Sequence, residues 1–272
     1  MGTDMRGAWE VKLDFFLNGC KDKNLYLKRN VNMINEQFLR SAFVLGDEAI
    51  ERLQQKKVIL FGVGGVGSFC AEALARIGIG TITLVDPDDV SVSNINRQLI
   101  ALHSTVGRNK AEVMKERIAD INPDAKVTAL PLFYLPENAD EIDLSAYDII
   151  IDAIDTVSAK VELAVRANAL GIPMLCSMGT GNKMHPEKLV ITDLASTTMC
   201  PLARVMRREL KARGIVHLPV VYSTETPVPR HADYADYADP SGRRGTPGSL
   251  SFVPSAAGLL LASEAVRILL EK

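Results

Sequence analysis

Residues 58–68 read VILFGVGGVGS. Val58–Phe61 is a short, largely apolar run closed by a glycine, the pattern of a strand buried on both faces of a parallel sheet. Gly62, Gly64 and Gly67 follow as G-x-G-x-x-G, with Gly65 inside the pattern. The stretch SFCAEALARIGIG, 68–80, then carries apolar side chains at helical spacing. A strand, a glycine turn and a helix in that order predict a phosphate-binding turn. The glycines let the backbone approach an anion, and the helix N-terminus offers free N–H groups and a positive dipole end. Asp86 closes the next apolar run, TITLVD at 81–86, and a carboxylate there suits ribose hydroxyls. The turn by itself does not separate a dinucleotide from ATP.

Outward from this stretch, strands and helices alternate. A helix is expected around 108–120, a strand in NPDAKVTAL, and a strongly buried strand in YDIIIDAID, 147–155. A helix to about residue 170 and a further strand in IPMLCSMG follow. This predicts an α/β fold, a Rossmann-like doubly wound and mainly parallel sheet with an elaborated C-terminal part. Residues 36–55 read as one or two helices preceding the first strand. Residues 1–35 show no sustained period and read as an irregular extension, or as sequence upstream of a start at Met33. Residues 36–181 form the nucleotide-binding and adenylation domain in this reading. Residues 182–272 form a C-terminal, substrate-binding part, comprising a strand in KLVITDL, a basic helix at 201–213, a long irregular loop at 222–249 and a final apolar helix packed back on the core.

The balance of 31 basic and 33 acidic residues, net charge −2, excludes a protein that holds nucleic acid by overall charge. RNA binding would need a local patch, and no DNA partner is indicated. Cys20, Cys70, Cys176 and Cys200 form no C-x-x-C pair, so neither a zinc site of the usual spacing nor a disulfide framework is expected. A reducing, cytoplasmic setting follows, with no apolar run read as a membrane span. The four histidines are dispersed and suggest no ligand set.

The loop after Asp86 separates the nucleotide classes. DPDDVSVSNINRQLI places Asn94, Arg97 and Gln98 just beyond it, and VGRNKAE places Lys110 at the start of a helix. Cations converging on this site suit a triphosphate, whose charge must be neutralised during transfer. Asp155 closes DIIIDAID at the end where open α/β sheets bind ligands, and a carboxylate there is a natural Mg²⁺ ligand. Taken singly, Lys110 is a solvated charge and Asp155 a helix cap. Taken together they describe a site.

GVGGVGS, LVDPDDVSVSNINRQ, VGRNKAE and AIDT resemble, in order, the successive motifs of the ubiquitin-activating-enzyme-like superfamily. The resemblance runs from about Arg40 to about Gly181. It implies that Asp86 binds ribose, that Asn94, Arg97, Gln98 and Lys110 contact phosphates, and that Asp155 sits at Mg²⁺. By the same resemblance Arg40, in FLRSAFVLG, reaches across a homodimer interface to the partner's nucleotide. The catalytic set is then Arg97, Lys110, Asp155 and Arg40. The C-terminal AAGLLLASEAVRILL resembles the superfamily's last helix.

Two features narrow the resemblance. The C-x-x-C zinc ligands of the sulfur-carrier adenylyltransferases are missing, and VITDLASTTMCPLARVMRRELKARGI followed by VVYSTETPV resembles the bacterial tRNA threonylcarbamoyladenosine dehydratase group. That resemblance implies a tRNA substrate, whose threonylcarbamoyl carboxylate is adenylated and then attacked from within the same modification. Such an intramolecular attack has a high effective molarity and needs no enzyme nucleophile. It also implies a structural alkali cation and cysteine-desulfurase-system partners. The alternatives are an adenylyltransferase acting on a carrier protein's C-terminal Gly-Gly, an NAD(P) oxidoreductase, which Arg97 and Lys110 argue against, and a silent scaffold. Arg204, Arg207, Arg208 and Lys211 recur at helical spacing and present one basic face, a candidate tRNA surface joined by Arg230, Arg243 and Arg244. A solvated helix face is the plainer reading. Cys200, before Pro201 at a helix start, reads as a small buried residue rather than an acyl or sulfur acceptor.

Overall fold

The computed structural model describes residues 34–234 and 246–271. The extension 1–33, with Cys20, and the loop arginines Arg243 and Arg244 lie outside these residues.

Seven strands form one sheet. β1 (Lys57–Phe61), β2 (Thr81–Val85), β3 (Lys126–Leu130), β4 (Ile149–Asp152), β5 (Met174–Ser177), β6 (Leu189–Asp193) and β7 (Pro219–Ser223) lie in the order β3-β2-β1-β4-β5-β7-β6. All neighbours are parallel except β6 and β7. The helices are α1 (Leu39–Leu45), α2 (Asp47–Gln55), α3 (Gly67–Ile77), α4 (Lys110–Ile121), α5 (Val157–Leu170), α6 (Pro201–Lys211) and α7 (Phe252–Glu271). β1 lies between β2 and β4, so strand order reverses beside it and opens a crevice at the C-terminal ends of β1 and β4.

The sheet divides two buried cores. Leu60, Leu74, Leu84, Met114 and Leu261 belong to the face carrying α3, α4 and α7. Ile59, Phe61, Leu163, Met206 and Val220 belong to the face carrying α5 and α6. Val58–Phe61 are fully buried, as the apolar run predicts for a strand covered on both sides.

The sequence changes character after Gly181, but the sheet does not stop there. β7 inserts between β5 and β6, so the segment beyond 181 extends the same sheet. One expectation is corrected. No membrane-length apolar run is expected from the sequence, yet α7 is long and apolar enough to cross a membrane by length and composition. It is nevertheless built into the core: Val253, Ala257, Leu261, Ala265 and Leu269 are buried. Gly258 makes that close packing possible, since a Cβ there would lie 2.3 Å from the Val66 carbonyl oxygen.

Candidate nucleotide and phosphate site

The glycine turn is shaped by contacts no side chain would permit. Gly62 has φ +88°, and a Cβ on it would come within 2.8 Å of the Ala153 carbonyl oxygen. A Cβ on Gly67 would lie 1.8 Å from the Gly62 oxygen. The turn after β4 and the turn after β1 are thus pressed together. α3 begins at Gly67, which leaves its first backbone N–H groups at the mouth of the crevice. α7 closes the other side, where a Cβ on Gly65 would meet Pro254 at 3.2 Å and Arg97 Cγ at 3.4 Å.

Asp86, just beyond β2, is buried and braces this turn. Its Oδ2 accepts the Val63 N–H at 2.6 Å and its Oδ1 the Asp88 N–H at 2.9 Å. Burial pushes its carboxyl up, with Lys110 and those two amides opposing.

The loop 87–109 brings the remaining polar groups in. Asn94 is buried and its Oδ1 accepts the Ser91 N–H, closing a tight turn. Arg97 is half-buried beside Gly65 and donates to the Ser93 carbonyl and to Asn96 Oδ1, both at 2.9 Å; burial lowers its guanidinium pKa. Gln98 is buried with Nε2 facing Gly64, and its Oε1 has no partner among the described residues. Lys110 opens α4 behind the cap Asn109, and its ammonium meets Asp88 at 2.8 Å. Asp155 is exposed at the end of the β4 turn. No group of three metal-ligating side chains occurs among the described residues.

Gly62, Gly64, Gly65, Gly67, Asp86, Arg97 and Gln98 thus lie together around the glycine turn; Lys110 is tied to Asp88 beside it, Asn94 closes its own turn within the loop, and Asp155 stands exposed beyond β4. Arg40 lies apart from them in sequence, exposed on α1.

On α6 the structure corrects the expectation of one free basic face. Arg204, Arg208 and Lys211 are exposed, Arg208 beside Glu209 at 2.9 Å. Arg207 is half-buried and turned inward, donating to the Thr197 carbonyl and, at 2.6 Å, to Thr197 Oγ1. Its position follows from the helix: Ala203, Met206 and Leu210 face the core, and residue 207 sits at the edge of that stripe. Cys200 is 3% exposed, in keeping with a small buried residue. Arg230 is half-buried and donates to the Tyr234 carbonyl.

Several residues escape a reading of the sequence. Asp88 is the partner of Lys110, and Asn96 ties the loop to the segment before α7 through the Ser249 carbonyl at 3.0 Å. Asp152 and Lys160 form a fully buried ion pair at 2.9 Å. A carboxylate inside the apolar run IIID was the available signal, because a charge there must find a partner.

The fold and this crevice define a nucleotide-handling α/β protein, and the chain belongs to the ThiF family, whose model matches residues 35–272. Among individual relatives it is 43% identical over 241 residues to the tRNA threonylcarbamoyladenosine dehydratase of Bacillus subtilis, covering 86% of this chain and 95% of that one. It superposes on the crystal structure of the Escherichia coli tRNA N6-threonylcarbamoyladenosine dehydratase in complex with AMP with a TM-score of 0.78, at 36% identity over 86% of this chain and 94% of that chain. The ATP complex of the same protein superposes with a TM-score of 0.75. Likeness to the sulfur carrier protein ThiS adenylyltransferase of Escherichia coli is shorter, 30% over 154 residues, 55% of this chain and 61% of that one.

Proposed function

We propose that this chain is an ATP-dependent tRNA threonylcarbamoyladenosine dehydratase. The carboxylate of the threonylcarbamoyl group attacks the α-phosphorus of ATP and pyrophosphate leaves. A nitrogen of the same modification then attacks the acyl-adenylate carbonyl, loses its proton, closes a ring and expels AMP. The net change in the nucleoside is loss of one water. The observation that carries this reading is the reach of the likeness, 86% of the chain, which takes it past Gly181 into the C-terminal part. The sulfur-carrier alternative draws on a likeness covering 55% of the chain.

In this proposal the Gly64–Gly67 amides and the α3 N-terminus cradle phosphates, and Asp86 takes the ribose. Arg97, Gln98 and Asn94 line the phosphate path. Lys110 leaves or shares Asp88 to reach the charge that develops there. Mg²⁺ on Asp155 would neutralise phosphate oxygens as the α-phosphorus is attacked. The exposed residues of α6, Arg204, Arg208 and Lys211, serve the tRNA. A homodimer completes the site: Leu39, Phe43 and Val44 on α1 expose apolar surface around Arg40, the composition of an interface rather than of a solvent face. The cytoplasm, where tRNA is modified, is the proposed setting.

The test is incubation with ATP and bulk tRNA, followed by nucleoside mass spectrometry. A product lighter by one water, with AMP formed, supports the reading, and an unchanged nucleoside overturns it. Arg97→Ala, Lys110→Ala and Asp155→Ala should each lower AMP formation about 100-fold or more without unfolding the chain.

A further inference from the structure

Lys160 and Asp152 are the one ion pair among the described residues in which both side chains are fully buried. A buried pair is a poor source of stability, because desolvation offsets most of the attraction. What this pair grips is specific. Asp152 Oδ1 accepts the Ile154 N–H at 3.1 Å, and Lys160 Nζ donates to the Ile154 carbonyl at 3.0 Å. Both backbone polar groups of Ile154 are thereby held by one ion pair. The remaining contacts of the pair anchor it: Lys160 Nζ also donates to the Ser177 carbonyl at the end of β5, at 2.9 Å, and Cys176 Sγ donates to Asp152 Oδ2 at 2.9 Å. Burial works against the Lys160 charge, but Asp152 outweighs it and holds the ammonium pKa above the ordinary lysine value.

Ile154 lies between this ion pair and the phosphate turn. Its Cγ2 lies 3.0 Å from where a Gly62 Cβ would be, so it forms the floor under the phosphate turn. Its carbonyl leads directly into Asp155. We propose that Lys160 is a positioning residue: through Ile154 it sets where the Asp155 carboxylate stands relative to the phosphate turn. This inference rests on the adenylation reading above, with Asp155 at the metal.

The test is calorimetric binding of ATP with Mg²⁺ and of ATP with EDTA to the wild type, Asp155→Asn, Lys160→Met, Lys160→Arg and the Asp155→Asn, Lys160→Met pair. The quantity read is the ratio of the two affinities. Asp155→Asn and Lys160→Met should each lower that ratio roughly tenfold, and the double variant should be no worse than either, because the two substitutions act on one contact. Lys160→Arg should recover part of the ratio. In turnover the loss should fall on kcat, with KM for tRNA unchanged. A wild-type ratio in Lys160→Met, or losses that add in the double variant, overturns the proposal. Should Lys160→Met not fold, Asp152→Leu with Lys160→Met removes both charges at once, and the same ratio is read on it. A wild type that binds ATP under neither condition overturns the adenylation reading, and this inference with it. A wild type that binds Mg-ATP while Lys160→Met keeps the full ratio overturns this inference alone.

Discussion

Asp86 Oδ2 accepts the Val63 N–H at 2.6 Å, so the residue after β2 holds the phosphate turn after β1 in place. The same carboxylate is the proposed ribose acceptor. Asp86→Asn should therefore weaken ATP binding about 30-fold, the scale of a hydrogen bond to a charged group, while changing stability little, because burial already opposes the charge that the substitution removes. Because burial raises the Asp86 pKa, wild-type ATP affinity should begin to fall on acidification above the ordinary aspartate range. Titration calorimetry across pH, beside a denaturant series, checks both.

Gly67→Ala places a methyl group 1.8 Å from the Gly62 carbonyl oxygen, a distance that only a backbone shift can relieve. The shift would open the turn where phosphate must sit. ATP binding should be lost and the melting temperature lowered by several degrees, a cost of about 2 kcal/mol or more. Unchanged ATP affinity would remove the turn from the nucleotide site.

The two halves of the basic helix should respond differently. Arg204→Glu with Arg208→Glu should weaken tRNA binding and reduce the slope of log affinity against log salt by nearly one for each phosphate that no longer meets a cation. Arg207→Ala should instead destabilise the fold by about 1–2 kcal/mol, because the Thr197 groups it satisfies lose their partner. Filter binding over a salt series, with thermal melts, separates the roles. Equal affinity and slope in the double variant would make this face merely solvated.

Arg40 in the proposed dimer acts on the neighbouring nucleotide. Arg40→Ala and Lys110→Ala chains should each be inactive alone, and mixed heterodimers should regain about half of the wild-type dimer's activity, since one of the two sites is whole. AMP release after proven subunit exchange is the measurement. No recovery would rule out action of Arg40 on the partner's nucleotide.

Glu72 joins α3 to α4, accepting from Arg117 Nε at 2.6 Å and Arg76 Nε at 2.8 Å. Burial would raise its pKa, but the two arginines outweigh that and hold it below the ordinary glutamate value. A lowered folded-state pKa gives stability that is complete above the unfolded value of about 4.3 and lost as pH falls through the lowered one. Glu72→Gln should cost about 1 kcal/mol at pH 7 and flatten the acid limb of a melting-temperature profile.

The strand–turn–helix at 57–77 was legible because its causes are local: four buried apolar residues, glycines where the chain turns on itself, and apolar positions at helical spacing. The alternation that follows made the doubly wound sheet legible, and four ordered motifs marked the crevice. The insertion of β7 between β5 and β6 was not legible, since PVVYS shows no preference for one edge over another. Strand order depends on which neighbours cover a strand, not on its composition.

Side-chain direction divided the rest. By itself the sequence determined which residue types stand at the ends of β1, β2 and β4, because strand ends and helix starts are set within a few residues. Only the tertiary structure decided what each one touches. Lys110 meets Asp88 twenty-two residues away, Asn96 reaches Ser249, Arg207 turns back to Thr197, and the Asp152–Lys160 pair closes between a strand and the following helix. For the buried groups the reason is desolvation: Lys110, Asp152 and Lys160, taken out of water, are held by the partners that the fold brings near.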